Sequence, residues 1–159
     1  MNYNEERKNY FFIVGTGRCG TQMLSAMLEQ YPQIYIAPES HFIPVAIEEL
    51  GLYDVLLDDF LELIQRDADW RNQRPWIELM IKDSNNCSSM EELSTRLYNE
   101  VGTKADLRNI IDELFAILSG SKKIMGDKTP FYGCFMSSLL KLWPEAKFIY
   151  LIRHPEDCA

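Results

Sequence analysis

Gly15, Gly17 and Gly20 place three glycines within six residues, between an apolar run and a segment of helical spacing. A glycine loop between a buried strand and a helix N-terminus presents unpaired N–H groups and the positive end of the helix dipole. The loop is therefore a candidate anion site, although a plain tight turn would use the same glycines. Arg18 adds a cation inside the loop, against the net charge of -8 of the whole chain.

The residues after this loop argue against a nucleoside triphosphate site. In the loop G-x-x-x-x-G-K-[ST], a lysine contacts the β- and γ-phosphates and a hydroxyl binds Mg²⁺. Gly15 and Gly20 fit this spacing, but Thr21 stands at the lysine position and Gln22 at the hydroxyl position. The loop suits an anion of lower charge than a triphosphate, held without a metal bridge, and we predict no metal site.

Glu39 is the candidate general base. It follows a short apolar run at 34–36 and Pro38, and open α/β folds bind their ligands at the carboxyl ends of strands. Two alternatives stay open. Glu39 or Ser40 would also serve as the polar cap of the next helix, and His41 is a competing base because histidine titrates near neutrality.

Two cations complete the set of candidate residues. Lys128 lies in the loop at 126–130, and Arg153 ends the apolar run at 146–152. Both would neutralise the charge of a bound anion. The alternatives are an ordinary surface lysine for Lys128 and, for Arg153, a strand-end cation that pairs with Asp157.

The elements that must position these residues follow from the hydrophobic pattern. Continuous β-prone runs predict strands of a parallel sheet, and apolar residues at helical spacing predict the helices between them. We expect strands at 10–14, 34–36, 123–125 and 146–152, and helices from 21, at 43–68, 89–101, 105–118 and 132–142. This order predicts an α/β fold, a P-loop-like parallel sheet flanked by helices, with a helical insertion at 43–118. Residues 67–86 are not placed.

Composition limits the class of protein. The 159 residues, 47% hydrophobic and 25% charged, fit a single globular domain over 1–159. The acidic balance argues against a nucleic-acid partner, and no run approaches the roughly 18 apolar residues of a membrane span. The polar start lacks a signal region, so we expect a cytosolic protein with free thiols. Because the last apolar run has no element after it to cover it, we expect a chain truncated at the C-terminus.

Three motifs resemble those of the sulfotransferases that use 3′-phosphoadenosine 5′-phosphosulfate (PAPS). Residues 15–21, Gly-Thr-Gly-Arg-Cys-Gly-Thr, resemble the family's 5′-phosphosulfate loop, in which a basic residue, a small residue and Gly-Thr open the first helix. Residues 148–157 are similar to its 3′-phosphate segment, an apolar strand followed by Arg-x-Pro-x-Asp. Residues 126–130, Gly-Asp-Lys-Thr-Pro, are similar to the lysine loop of the bacterial and tyrosylprotein-type branch. All three stand in the family's order.

The resemblance implies transfer of a sulfuryl group from PAPS to a hydroxyl acceptor, with adenosine 3′,5′-bisphosphate as product and no metal. The acceptor class (sugar, glycolipid, peptide tyrosine or small molecule) stays open. Arg18 and Lys128 would stabilise charge during transfer, Glu39 would be the base, and Arg153 would hold the 3′-phosphate. The 5′-phosphosulfate would lie against Gly17, Arg18, Cys19, Gly20, Thr21 and Gln22. The competing hypotheses are a P-loop small-molecule kinase and a truncated, non-catalytic nucleotide-binding fragment.

Overall fold

A four-stranded parallel sheet forms the centre of the molecule. The computed structural model describes residues 9–66, 76–120 and 122–154. The strands are β1 (Asn9–Gly15), β2 (Ile34–Ala37), β5 (Ile124–Asp127) and β6 (Lys147–Leu151), in the order β2-β5-β1-β6. Every pairing in this sheet is parallel. The α/β fold with a parallel sheet, predicted from the apolar runs, is confirmed.

Alternate side chains of β1 point to opposite faces of the sheet. On one face, Phe11 and Ile13 form a small core with Ile36, and residues of the first helix, α1 (Thr21–Leu28), pack against this core. On the other face, Tyr10 and Phe12 belong to the larger core under the remaining helices. Helices cover both faces of β1, which explains its unbroken apolar sequence.

The expected single helix over 43–68 is wrong. The chain instead forms α2 (Phe42–Leu50), then β3 (Val55–Leu56) and α3 (Leu57–Arg66). Gly51 ends α2 with a φ of 80°, and Asp54 also has a positive φ, so the backbone turns away from the helix axis. The spacing of apolar residues alone does not indicate such a break in a helix.

Three further helices follow. They are α4 (Trp76–Asp83), α5 (Met90–Val101) and α6 (Leu107–Ser119). Helix α4 lies in the segment that the sequence left unplaced, and Trp76 anchors it by stacking on Phe42 at 4.2 Å. Part of that segment, 67–75, lies outside the described residues. Between α5 and α6, β4 (Lys104–Ala105) pairs antiparallel with β3, so Ala105 belongs to a strand rather than to the predicted helix.

A variant of the capping box begins α5. Ser89 is the N-cap, and its hydroxyl accepts a hydrogen bond from the Glu92 backbone N–H at 3.1 Å. The Glu92 carboxylate accepts in return from the backbone N–H and the hydroxyl of Ser88, one residue earlier than the usual pattern.

Around β5 and β6 two boundaries differ from expectation. Asp127, expected in a loop, is the last residue of β5, and the predicted helix at 132–142 begins as a 3-10 turn (Pro130–Phe135) before α7 (Met136–Leu142). Strand β6 lies at the sheet edge, where Tyr150 is 52% exposed. The predicted strand at 146–152 is present, but apolar sequence alone does not reveal whether another element covers a strand.

All four parallel strands end at the same edge of the sheet. The glycine loop follows β1, Glu39 follows β2, Lys128 follows β5 and Arg153 follows β6. Within the described residues, no helix has both the length and the apolarity to cross a membrane.

Candidate active site

An open cleft of about 1070 Å³ lies at the carboxyl edge of the sheet. The glycine loop and α1 line one part of it with Gly17, Arg18, Gly20, Thr21 and Gln22. Glu39, Lys128 and Arg153 line the rest. The structure thus brings together residues from four separate places in the sequence, and of the predicted site residues only Cys19 is not part of the lining.

Helix α1 begins without a side-chain cap. Its N-cap is Gly20, at φ 101°, and its first turn contains no acidic residue. The N–H groups of a helix's first turn have no partner within the helix, so this terminus offers donors to an external acceptor. Arg18, in the same loop, has a φ of 63°, which is uncommon for a residue with a side chain. The loop therefore places a guanidinium beside the N–H groups of the α1 terminus, a combination that suits an anion.

Cys19 lies beneath the loop. Its side chain is buried, at 7% exposure. A Cβ at Gly15 would lie 2.9 Å from the Cys19 sulfur and 2.6 Å from the backbone oxygen of Leu151. Cys19 therefore fills the space between the loop and the end of β6. Only its backbone remains a candidate for anion binding.

Glu39 forms an ion-paired cluster with Lys128 and His41. The Lys128 Nζ lies 3.2 Å from Glu39 Oε2, and the His41 Nε2 lies 3.3 Å from Glu39 Oε1. The hydrogen bond from His41 and the nearby charge of Lys128 lower the pKa of Glu39 to about 2, although burial opposes them. Both oxygens of the candidate base are thus engaged by donors.

Two of the alternatives from the sequence are not observed. The N-cap of α2 is His41, without a capping side-chain hydrogen bond, so neither Glu39 nor Ser40 caps that helix. Lys128 is not a surface lysine, because only 8% of the residue is exposed. Lys128 therefore stays a candidate for contact with a ligand in the cleft.

Behind the cluster lies a set of buried polar groups that sequence reasoning missed. The Ser40 hydroxyl donates to Asp127 Oδ2 at 3.0 Å, and the Ser40 backbone N–H donates to Thr129 Oγ1 at 3.2 Å. The Tyr132 hydroxyl lies 3.2 Å from Ser40 Oγ and accepts from the Ile43 N–H at 3.2 Å. In the sequence, only their positions indicate these groups. Ser40 is next to Glu39, Asp127 and Thr129 flank Lys128, and Tyr132 follows shortly after.

Arg153 and an aromatic ring also line the cleft. Arg153 is exposed and lines the cleft, whereas Asp157, its suggested partner, lies outside the described residues. Phe131 also lines the cleft, is 55% exposed, and has its ring centroid 6.4 Å from that of His41. Phe131 therefore presents an exposed apolar surface beside His41 in the cleft.

At one edge of its parallel sheet, this α/β protein places an uncapped helix terminus, an adjoining guanidinium and a lysine–carboxylate pair. The chain belongs to the sulfotransferase family, whose sequence model matches residues 11–159. It is also similar to the nodulation protein NoeE of Sinorhizobium fredii (strain NBRC 101917 / NGR234), with 26% identity over 144 residues. That match covers 91% of this chain and 28% of NoeE, so the chain spans about a quarter of its relative's length.

Proposed function

We propose that this chain binds PAPS and contributes the catalytic groups for transfer of its sulfuryl group to a hydroxyl acceptor. The observation that carries the proposal is the position of the Glu39–Lys128 pair in the same cleft as Arg18 and the uncapped terminus of α1. Membership of the sulfotransferase family supports the reaction class.

The residues of the cleft fit the donor's chemistry. Arg18, Lys128 and Arg153 are three cations in the lining, and the first turn of α1 adds N–H donors without a competing acidic side chain. A guanidinium and backbone amides are the usual partners of phosphate and sulfate oxygens. We assign the 5′-phosphosulfate to the loop at Gly17–Gln22, including the backbone of Cys19, and the 3′-phosphate to Arg153.

PAPS, when bound, supplies an activated sulfuryl group and leaves as adenosine 3′,5′-bisphosphate. In that displacement negative charge grows on the oxygen that leaves with the 5′-phosphate, so positioned cations lower the barrier. Arg18 and Lys128 are the groups placed to stabilise that charge. Glu39 takes the proton of the acceptor hydroxyl, and its ionised state at neutral pH fits a proton acceptor.

A pKa of about 2 makes the free Glu39 carboxylate a weak base. Lys128 contributes to that low value, and Lys128 is also the cation placed to contact the donor. When an anionic donor attracts the Lys128 ammonium, the ammonium's hold on Glu39 weakens and the pKa of Glu39 rises. Glu39 then becomes a stronger base when the donor is in place, which links proton removal to donor binding.

The acceptor is assigned to the side of the cleft where Phe131 and His41 adjoin Glu39. A hydroxyl-bearing group that rests on the Phe131 ring would have the Glu39 carboxylate within the same cleft. Aromatic rings contribute binding through the apolar faces of sugars and phenols alike. The assignment therefore specifies a hydroxyl acceptor with an apolar face.

Isothermal calorimetry tests the donor assignment. We expect the full protein to bind adenosine 3′,5′-bisphosphate in the presence of EDTA, and Arg18→Ala to weaken PAPS binding and to reduce sulfuryl transfer by about 100-fold or more. Arg96→Ala is the matched control, because Arg96 is a partly exposed arginine on α5 whose hydrogen bonds are with Asn86 and Glu92 rather than with the cleft.

Binding of ATP that depends on Mg²⁺, with no binding of adenosine 3′,5′-bisphosphate, would instead indicate a kinase and overturn the proposal. Binding of the bisphosphate with no transfer to any hydroxyl acceptor would indicate a non-catalytic nucleotide-binding protein.

A further inference from the structure

We propose that Ser40 and Asp127 form a buried positioning unit, closed by Tyr132, that holds the Glu39 carboxylate in register with the Lys128 ammonium. The inference rests on the proposed function, since it concerns how the same site is assembled. Neither Ser40 nor Asp127 touches the cleft, so both act through the residues beside them.

The buried and cleft-facing residues alternate in the two loops. Glu39 and His41 line the cleft, whereas Ser40 between them is only 2% exposed. Lys128 lines the cleft, whereas Asp127 and Thr129 on either side of it are 1% and 0% exposed. The inward residues of one loop bond to the inward residues of the other, and the outward residues form the Glu39–Lys128 pair.

Three hydrogen bonds join the two loops directly. The Ser40 hydroxyl bonds to Asp127, the Ser40 N–H bonds to Thr129, and the Lys128 N–H donates to the Ala37 carbonyl at 3.2 Å. Two of the three involve backbone N–H groups adjacent to, or belonging to, the catalytic residues themselves. A shift of one loop against the other would therefore break these bonds as well as the contact between Glu39 and Lys128.

The hydroxyl groups of Tyr132 and Ser40 form a hydrogen-bond chain in which each donates toward Asp127. Ser40 Oγ has one proton, which it donates to Asp127 Oδ2. The Tyr132 hydroxyl must then be the donor in its 3.2 Å contact with Ser40 Oγ, while it accepts the N–H of Ile43. Each hydroxyl donates once and accepts once, and Asp127 is the final acceptor. Such a chain fixes both hydroxyl rotors and the loops that carry them.

The backbone of His41 needs this support. His41 has a φ of 60°, in the left-handed region that is unfavourable for a residue with a side chain. The N–H groups of Ser40 and Ile43, on either side of it, are held by Thr129 and Tyr132. The unit thus maintains the turn that directs both Glu39 and His41 into the cleft.

The positioning unit contains a buried polar group whose burial is energetically unfavourable. Asp127 is a buried carboxyl group, and within the described residues its Oδ1 makes no hydrogen bond of normal geometry. Burial of an incompletely bonded carboxyl group is unfavourable, and an apolar residue at this position would avoid that penalty. The presence of Asp127 between the two loops is consistent with a role in positioning.

The test uses two variants. Ser40→Ala removes one hydroxyl of the hydrogen-bond chain, and Tyr132→Phe removes the other with little change in side-chain volume. In the full protein we expect each variant to lower kcat for sulfuryl transfer by about 10- to 100-fold. The dissociation constant of adenosine 3′,5′-bisphosphate should change by less than about 3-fold, because the loop after β1 is untouched. Ser119→Ala is the control, since Ser119 is also a buried serine but has no hydrogen bond to these loops among the described residues.

A double-mutant cycle separates positioning from general support of the fold. In a Glu39→Gln background, Ser40→Ala should cause little further loss of kcat, because the residue through which it acts is already disabled. Additive losses would overturn the positioning role. Carbon-13 NMR of Glu39 provides a readout that does not depend on activity: its pKa should rise in Ser40→Ala as the Lys128 and His41 contacts loosen.

The outcomes also distinguish the two proposals. A wild-type protein that transfers no sulfuryl group, with a Glu39 pKa that still responds to Ser40→Ala, would contradict the proposed function alone. An active wild-type protein whose kcat and Glu39 pKa are unchanged in both variants would contradict the positioning unit alone.

Discussion

The ammonium group of Lys128 lies 3.2 Å from the Glu39 carboxylate, across 89 positions of sequence. The pair joins the end of β5 to the segment after β2, and these two strands are neighbours in the sheet. The distance between the candidate base and a candidate charge-stabilising group is therefore set by strand pairing and by the loops immediately beyond it.

Glu39→Gln should reduce sulfuryl transfer by about 100-fold or more, because the amide cannot accept the acceptor's proton. PAPS binding should be unchanged or tighter, since Lys128 no longer has a carboxylate to neutralise. Steady-state kinetics and calorimetry measure the two effects. Glu48→Gln is the control, because Glu48 is an exposed glutamate on α2 that does not line the cleft.

Normal turnover in Glu39→Gln together with a large loss in His41→Asn would identify His41 as the base and would leave the family assignment intact.

Asp127→Asn should make stability less dependent on pH. Burial raises the pKa of Asp127 to about 7, so the folded chain binds its proton more tightly than the unfolded chain does. The resulting stability is present below the unfolded pKa near 4 and is lost as pH rises through about 7. Urea unfolding at pH 5 and pH 8 should show a smaller difference in the variant than in the wild type.

Asp59→Asn, at an exposed position on α3, should retain the wild-type difference. An equal pH dependence in Asp127→Asn and wild type would mean that Asp127 stays ionised in the folded protein.

Arg153→Ala should weaken binding of adenosine 3′,5′-bisphosphate by about 10-fold or more, because a charge-assisted contact to the 3′-phosphate is lost. Binding of adenosine 5′-phosphosulfate, which lacks that phosphate, should change little. Calorimetry with both nucleotides measures the ratio. Equal losses for the two ligands would show that Arg153 contacts another part of the donor.

Gly15→Ala should destabilise the protein by about 1–3 kcal/mol, because the added Cβ overlaps a backbone oxygen that cannot move freely. The Cβ would lie 2.6 Å from the Leu151 oxygen and 2.9 Å from the Cys19 sulfur. Gly17→Ala is the matched control in the same loop, since no described atom lies within 4 Å of a Cβ there. Thermal unfolding that is equally affected in both variants would contradict this account of the loop.

The sequence predicted the parts of the site that depend on local pattern. Apolar runs located β1 and β6, and the glycines located the turn between β1 and α1, because parallel strands and strand-to-helix turns have strong local signatures. The rule that ligands bind at the carboxyl ends of such strands made Glu39 a candidate, and the resemblance of residues 126–130 to the sulfotransferase lysine loop made Lys128 one.

Other features depend on contacts between distant residues. Ser40 meets Asp127 and Tyr132 across 87 and 92 positions, and no local pattern indicates such pairs. The exposure of β6 depends on what lies beside it in the sheet, and the break at Gly51 depends on a single φ angle. The periodicity of apolar residues reveals neither the neighbours of a strand nor the backbone angle at a single residue.

The central place of β1 in the sheet has a consequence for synthesis of the chain. Its two neighbours, β5 and β6, emerge from the ribosome about a hundred residues or more after it. During that interval the Phe-Phe-Ile-Val run has both hydrogen-bonding edges unpaired, which is the condition under which strands associate with other chains. Production of this protein should therefore respond strongly to chaperone supply and to translation rate, even when the finished fold is stable.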